Sequence, residues 1–264
     1  MNEPTPRPTP VDLVVTTLAE RPELASRLWE MTDNWPAFSE HDSLAWLLYP
    51  RMVAELPEYV LVATDGPEGP VVARGFSVPF ALRRPDRGGE AGELPARGWD
   101  QALLWAFSDL RTGAPTDTVS AIEITVATEH LGRGLSGVML AAMRENAVRR
   151  GARELVAPVR PNGKPAEPET PIEEYAARLR PDGLPHDAWL RVHVRAGGVV
   201  DRIAPLSMTI SATLAEWREW TGLPFDEPGP VRVPGALVPV HCAPERDHAV
   251  YVEPNVWVRH ALTD

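Results

Sequence analysis

An α/β fold is predicted for this chain by three observations. Segments with strand character, two of them joined as a hairpin, are interspersed with segments of helical periodicity along its length. One strand-like stretch, SAIEITVATE, runs through the glycines of LGRGLSG into the helical run VMLAAMRENAVRR, spanning residues 120–151. With 264 residues and 44% hydrophobic content, the chain can bury a sizeable core.

The strand, glycine loop and helix carry the chemistry. Ile122, Ile124 and Val126 alternate with Ala121, Glu123 and Thr125, as in a half-buried strand. Leu135, Val138, Met139, Ala142 and Met143 keep the spacing of one helix face, and Gly151 stops the helix. Gly132 and Gly134 allow backbone angles that other residues resist, and Arg133 adds a fixed positive charge. A strand that turns through glycines into a helix aims several N–H groups and the positive end of the helix dipole at one point, which makes an anion site. The same glycines also suit a plain tight turn. GRGLSG matches the G-x-G-x-x-G spacing formally, but Glu154 would begin the next strand and no doubly wound order surrounds it. No Gly-Lys-Ser/Thr follows, which excludes a Walker loop.

The remaining elements follow in order. Val11 to Leu18 reads as a first strand, Glu23 to Met31 and Asp42 to Glu55 as helices, and Tyr59 to Thr64 and Val71 to Phe80 as a hairpin around DGPEGP. A glycine-rich loop leads to a helical run, Trp99 to Arg111, and a short strand occupies Glu154 to Val159. A section from Val199 gives a strand, the helical ATLAEWREWTG, a proline-rich loop and a last strand, His248 to Arg259. The 29 prolines mark the loops, and MNEPTPRPTP reads as a disordered arm over residues 1–10 ahead of a single domain over 11–264.

Composition narrows the function. A net charge of −11 argues against nucleic-acid binding and suits a cationic or amine substrate. The lone Cys242 offers neither a disulfide nor a cysteine-based metal site, and the seven histidines show no metal-binding spacing, so no metal is expected. No apolar run reaches the ~20 residues of a membrane span. The N-terminus lacks the pattern of a signal peptide, so a cytoplasmic location is expected. Nine tryptophans leave room for a homodimer interface.

Residues 131–136, LGRGLS, resemble the acyl-CoA loop of the GNAT superfamily of N-acyltransferases, Arg/Gln-x-x-Gly-x-Gly/Ala, with Gly134 on the central glycine. Leu131 replaces the usual Arg or Gln, and Ser136 the last Gly or Ala. The order of elements matches as well, most strongly over residues 118–210, with insertions near 81–118 and 160–185 and an extension over 211–264. The resemblance implies a GNAT fold: a central mixed, mostly antiparallel twisted sheet flanked by helices. It implies acetyl-CoA or another acyl-CoA as cosubstrate and a small-molecule amine as acceptor. Its pyrophosphate would lie on the N–H groups of Gly132, Arg133, Gly134, Leu135, Ser136 and Gly137, beside Leu131, more weakly than on the full motif. The main chain of Val126, Ala127 and Thr128 would meet pantetheine and polarise the thioester.

In such enzymes the amine attacks acyl-CoA directly, so the absence of G-x-S-x-G is no obstacle. HDAWLRVHVRAGG resembles the last core helix, which places His193 as proton donor four residues before Gly197. Glu123, on the strand that flanks the thioester, is the implied base. His41, Asp42, Trp35 and Phe38 fall in the segment that forms a wall of the acceptor pocket; Asn162, Glu253 and Asn255 are weaker candidates. A protein of this fold that binds acyl-CoA without turnover is the alternative.

Overall fold

The computed structural model describes residues 12–262. The expected proline-rich arm, residues 1–10, lies outside them. The chain begins with β1 (Leu13–Thr17) and a 3-10 helix (Pro22–Trp29) where an α-helix was expected, its proline at the first turn. A second 3-10 turn (Ala37–His41) precedes α1 (Ser43–Glu55), which Asp42 caps by accepting the N–H of Ala45 at 2.7 Å. The hairpin β2 (Val60–Asp65) and β3 (Val71–Phe80) leads to α2 (Gly98–Thr112), then β4 (Thr118–Val126), α3 (Leu135–Arg149) and β5 (Glu154–Val159). Next come α4 (Ile172–Ala176) within the 160–185 insertion, α5 (Ala188–Arg195), β6 (Val199–Ala212), α6 (Leu214–Thr221), β7 (Gly229–Val231), β8 (Val240–Ala243) and β9 (His248–Ala261).

The sheet runs β1-β2-β3-β4-β5-β9-β8-β7, with β6 also paired to β9. Only β4 and β5 pair in parallel; every other pairing is antiparallel. This is the open, mostly antiparallel α/β sheet that the sequence implies. Two features open a site in it. The β4–β5 ladder holds only from Thr118↔Glu154 to Ser120↔Val156, after which the strands part. β9 carries β6 along one edge, and β5 and β8 at opposite ends of the other, so that β5 stops at Val256 and β8 at Val250. The stretch between them, which includes Glu253 and Asn255, is left without a strand on that edge.

The main core lies between the sheet and helices α1, α2 and α3, with Met52, Phe76, Phe80, Leu103, Met139 and Leu140 almost fully buried. Burial of each such side chain stabilises the fold by roughly 1.5–3 kcal/mol. A second, smaller core joins Phe38, Trp217, Phe225 and Tyr251 beneath the C-terminal strands, and it takes in Cys242, whose thiol burial pushes upward in pKa. Phe38 thus packs in that core instead of facing a pocket, and His41 stacks on Trp220 at 4.2 Å.

α2 is pinned to the sheet at its first residue. Gly98 has φ +33°, and a Cβ there would lie 2.2 Å from Ser207 Oγ, so glycine is required. The same hydroxyl accepts the Trp99 N–H at 2.9 Å and donates to Asn255 Oδ1. That contact sets Trp99 beside the opening of the sheet.

Candidate active site

A cavity of about 1050 Å³ follows the split between β4 and β5. Residues 121–126 of β4 and 157–159 of β5, with Arg160 just beyond it, line the cavity, as do the glycine loop and Trp46, Tyr49 and Trp99. Direction of the main chain decides what β4 offers. Ala127 N–H donates to Val72 O at 2.9 Å, toward β3, and N–H groups alternate along a strand. Val126 N–H therefore points across the split. Ile122 shares that orientation, and its carbonyl accepts the Trp99 indole N–H at 3.2 Å. Thr128 N–H is taken by Thr32 O at 3.3 Å. Of the three main-chain positions expected to meet the cosubstrate, Val126 keeps its N–H toward the cavity, while the N–H groups of Ala127 and Thr128 are bonded within the protein.

The loop shows a similar division. Gly132 and Gly134 take φ +76° and +80°, with nothing within 4 Å of where a Cβ would stand, so the backbone is open to a bulky anion. Gly134 caps α3, and the first N–H groups of a helix lack internal partners. One expected donor is engaged elsewhere, Gly137 N–H bonding Gly134 O at 3.0 Å; beside the site, Leu131 N–H bonds Thr128 O at 3.3 Å. Gly132, Gly134, Leu135 and Ser136 keep the loop and the first turn of α3 turned toward the cavity. The Leu131 side chain is half exposed and lines the same cavity.

Glu123 faces the cavity and is nearly buried. Its Oε1 accepts Arg74 Nε at 2.7 Å and Thr125 Oγ1 at 2.8 Å. Arg74 is completed by Leu28 O at 3.0 Å, Asp33 Oδ2 at 3.1 Å and the Trp29 ring at 5.0 Å. Thr125 Oγ1 in turn accepts the Trp35 indole N–H at 2.9 Å. Tyr49 lies against Phe76 and Trp99, and burial, followed by the Glu123 carboxylate, raises its pKa well above the ordinary phenol value. Tyr49 therefore keeps its proton at neutral pH.

His193 lines the cavity at 1% exposure, its Nδ1 3.0 Å from His260 Nε2. Burial, then the neighbouring His260, lowers the His193 pKa to about 3, and burial lowers that of His260 to about 4. The expectation of an imidazole near its ordinary pKa is thereby corrected: His193 is neutral at physiological pH and supplies no imidazolium. Desolvation of α5 against β9, invisible to spacing, is the physical reason.

The cavity lining carries more acids than bases. Asp33, Glu40, Asp42, Glu123 and Glu253 line the cavity against two guanidinium groups, Arg74 and Arg160. Arg160 Nε donates to Glu253 Oε2 at 3.0 Å, and the same carboxylate accepts Tyr251 OH at 2.6 Å and Asn255 Nδ2 at 3.0 Å. Trp35 and Asn162 also line it. Sequence reasoning passed over Arg74, Tyr49 and Trp99. A basic residue at 74 in an otherwise apolar strand was the available signal for the first. Among the described residues no group of three or more His, Cys, Asp or Glu could hold a metal ion, and no helix is long and apolar enough to cross a membrane.

No protein-family model matches the chain. It is similar to arginine N-acetyltransferase avaD of Aspergillus versicolor, 32% identical over 277 aligned positions covering 93% of each protein. Among solved structures, the loading GNATL domain of CurA from Lyngbya majuscula superimposes with a TM-score of 0.54 at 15% identity, covering 95% of this chain and 98% of that one. The GphF GNAT-like decarboxylase, in complex with isobutyryl-CoA, gives a TM-score of 0.53 at 17% identity, covering 95% and 99%. These two likenesses bear on the fold alone. Together with the strand–glycine loop–helix, the likeness over nearly its whole length to a curated N-acetyltransferase makes this chain a member of the GNAT superfamily of N-acetyltransferases.

Proposed function

We propose that the protein transfers acetyl from acetyl-CoA to an amine of a small cationic acceptor of the arginine type, by direct attack and without a covalent enzyme intermediate. The observation that carries this reading is the continuity of one cavity, lined by an anion-accepting loop, a split strand edge and an excess of carboxylates. The name of the arginine-acetylating relative supports the acceptor class.

The cosubstrate fits the residues present. The open glycines Gly132 and Gly134 and the N-terminus of α3 suit a pyrophosphate. Val126 N–H is aimed where the thioester carbonyl gains charge. As the carbon–nitrogen bond forms, Glu123 takes the amine's proton, directly or through water; as the carbon–sulfur bond breaks, the thiolate takes a proton. Of the two cavity groups suited to supply it, Tyr49 is the stronger, because His193 carries no imidazolium at neutral pH.

Release of free thiol from acetyl-CoA in the presence of L-arginine and a panel of other amines tests the reading. Tight binding of CoA with no thiol released for any amine would establish the alternative, a binding protein without turnover.

A further inference from the structure

One corner of the cavity is unaccounted for by the acetyl-transfer machinery. Asp42 lines the cavity and is 2% exposed, yet among the described residues no basic side chain pairs with it. Its carboxylate is held from the backbone side, by the Ala45 N–H of the helix it caps. Asp100, on the first turn of α2, is 3% exposed, and its Oδ1 is buried with no hydrogen-bond partner. The nearest cation, Arg97, reaches only to 3.8 Å and is itself largely in solvent. An unsatisfied buried carboxylate oxygen costs roughly 1–3 kcal/mol or more. Burial first, then the Asp42 charge, raises Asp100 to about 7; burial first, with the Glu253 charge adding to it, raises Asp42. Asp42 lines the cavity and Asp100 does not; Glu123 and Glu253, the other buried acids that line it, are each ion-paired to an arginine.

We propose that Asp42, backed by Asp100, is the seat for a guanidinium carried by the acceptor. The proposal rests on the reading of the cavity as an acceptor site and adds the residue that selects a guanidino compound over a neutral analogue of the same length. A planar guanidinium presents five N–H donors, enough to engage the free face of Asp42 and to compensate charge on the acid behind it. Trp99, adjacent to Asp100 and lining the cavity, adds an aromatic surface against which such a cation packs.

L-Arginine and L-citrulline are nearly the same size and differ in that charge, so their dissociation constants, measured by calorimetry on the full chain, isolate it. Asp42→Asn keeps a good helix cap and removes the negative charge. The intact protein is expected to bind arginine roughly tenfold or more tightly than citrulline, and Asp42→Asn to lose most of that preference while citrulline affinity, CoA affinity and melting temperature hold. Asp100→Asn is expected to reduce the preference less. Equal binding of the two ligands by the intact protein, or an undiminished preference in Asp42→Asn, would overturn the seat. If Asp42→Asn does not fold, an undiminished preference in Asp100→Asn would overturn it. Failure of the seat is separable from failure of the enzymatic reading: thiol release with any amine preserves the latter, and an Asp42-dependent arginine preference without thiol release preserves only the former.

Discussion

Arg74 Nε lies 2.7 Å from Glu123 Oε1, and both side chains are 6% exposed. They stand on neighbouring strands β3 and β4, where the register sets Phe76 against Glu123 and Arg74 against Thr125. A diagonal pair of this kind, out of water, fixes the carboxylate on the cavity face of the sheet. In the role of base proposed for Glu123, the pair would hold it in position for proton transfer; it also makes Glu123 part of the fold.

Both roles can be separated by substitution. Arg74→Met leaves Glu123 buried without its cation, and breaking a buried pair costs about 3–5 kcal/mol, readable by chemical denaturation. Glu123→Gln keeps size and hydrogen bonding. It should lower kcat by roughly 100-fold or more with a smaller loss of stability. Full activity in Glu123→Gln would remove it as the base.

Acid sensitivity should trace to the paired histidines. With a folded pKa near 3 against an ordinary 6.5, His193 takes up its proton in the unfolded chain well before it does in the folded one. Its neutral form therefore contributes stability that is complete above pH 6.5 and is lost as pH falls from about 6.5 toward 3. His260, at about 4, acts in the same direction. His193→Phe should flatten the dependence of urea midpoint on pH across that window. For turnover, the profile should show no limb near pH 6.5 that disappears in this variant.

How much of this was legible in the sequence depends on the range of the forces involved. The β4–loop–α3 unit was readable because strand alternation, glycine placement and helix periodicity are local, and the helix indeed runs from Leu135 to Arg149. The parting of β4 from β5 after Ser120 was implied only by resemblance, since strand pairing is not local. The engaged N–H groups of Ala127 and Leu131 were not legible, because their acceptors come from chain geometry that no periodicity encodes. Likewise His193 could be placed on its helix, but not beside His260, which lies 67 residues away in sequence. Asp42 was read with His41 as part of a pocket wall; that Asp100 is buried without a partner for its Oδ1 was not legible, since it depends on how α2 is pinned through Gly98 and Trp99 to Ser207.

The glycine loop allows a substitution in each direction. Gly134→Val forces a β-branched residue into φ +80° and projects its side chain where an anion would approach, so the KM for acetyl-CoA should rise about tenfold or more. Leu131→Arg restores the charge that the acyl-CoA loop of the superfamily carries. With Leu131 half exposed at the rim of the cavity, a guanidinium there should lower that KM several-fold, by about 1 kcal/mol of charge-assisted contact. A steady-state series in acetyl-CoA at fixed acceptor checks both. An unchanged KM in Gly134→Val would show that the cosubstrate lies elsewhere.

Asp100 should show the opposite pH signature from the histidines. Its folded pKa of about 7 lies above the ordinary carboxylate value of 3.8, so the folded state holds the proton longer than the unfolded chain. Stability is then lost as pH rises from about 4 to 7, and above that range the folded protein carries the ionised group at a cost of a few kcal/mol. Asp100→Asn should therefore raise the melting temperature at pH 8 and change it little at pH 4. A stabilised variant with weakened arginine binding is the combination expected of a residue retained for its charge at the expense of the fold. A variant that melts lower at pH 8 would instead make Asp100 a structural acid, satisfied by contacts at the first turn of α2.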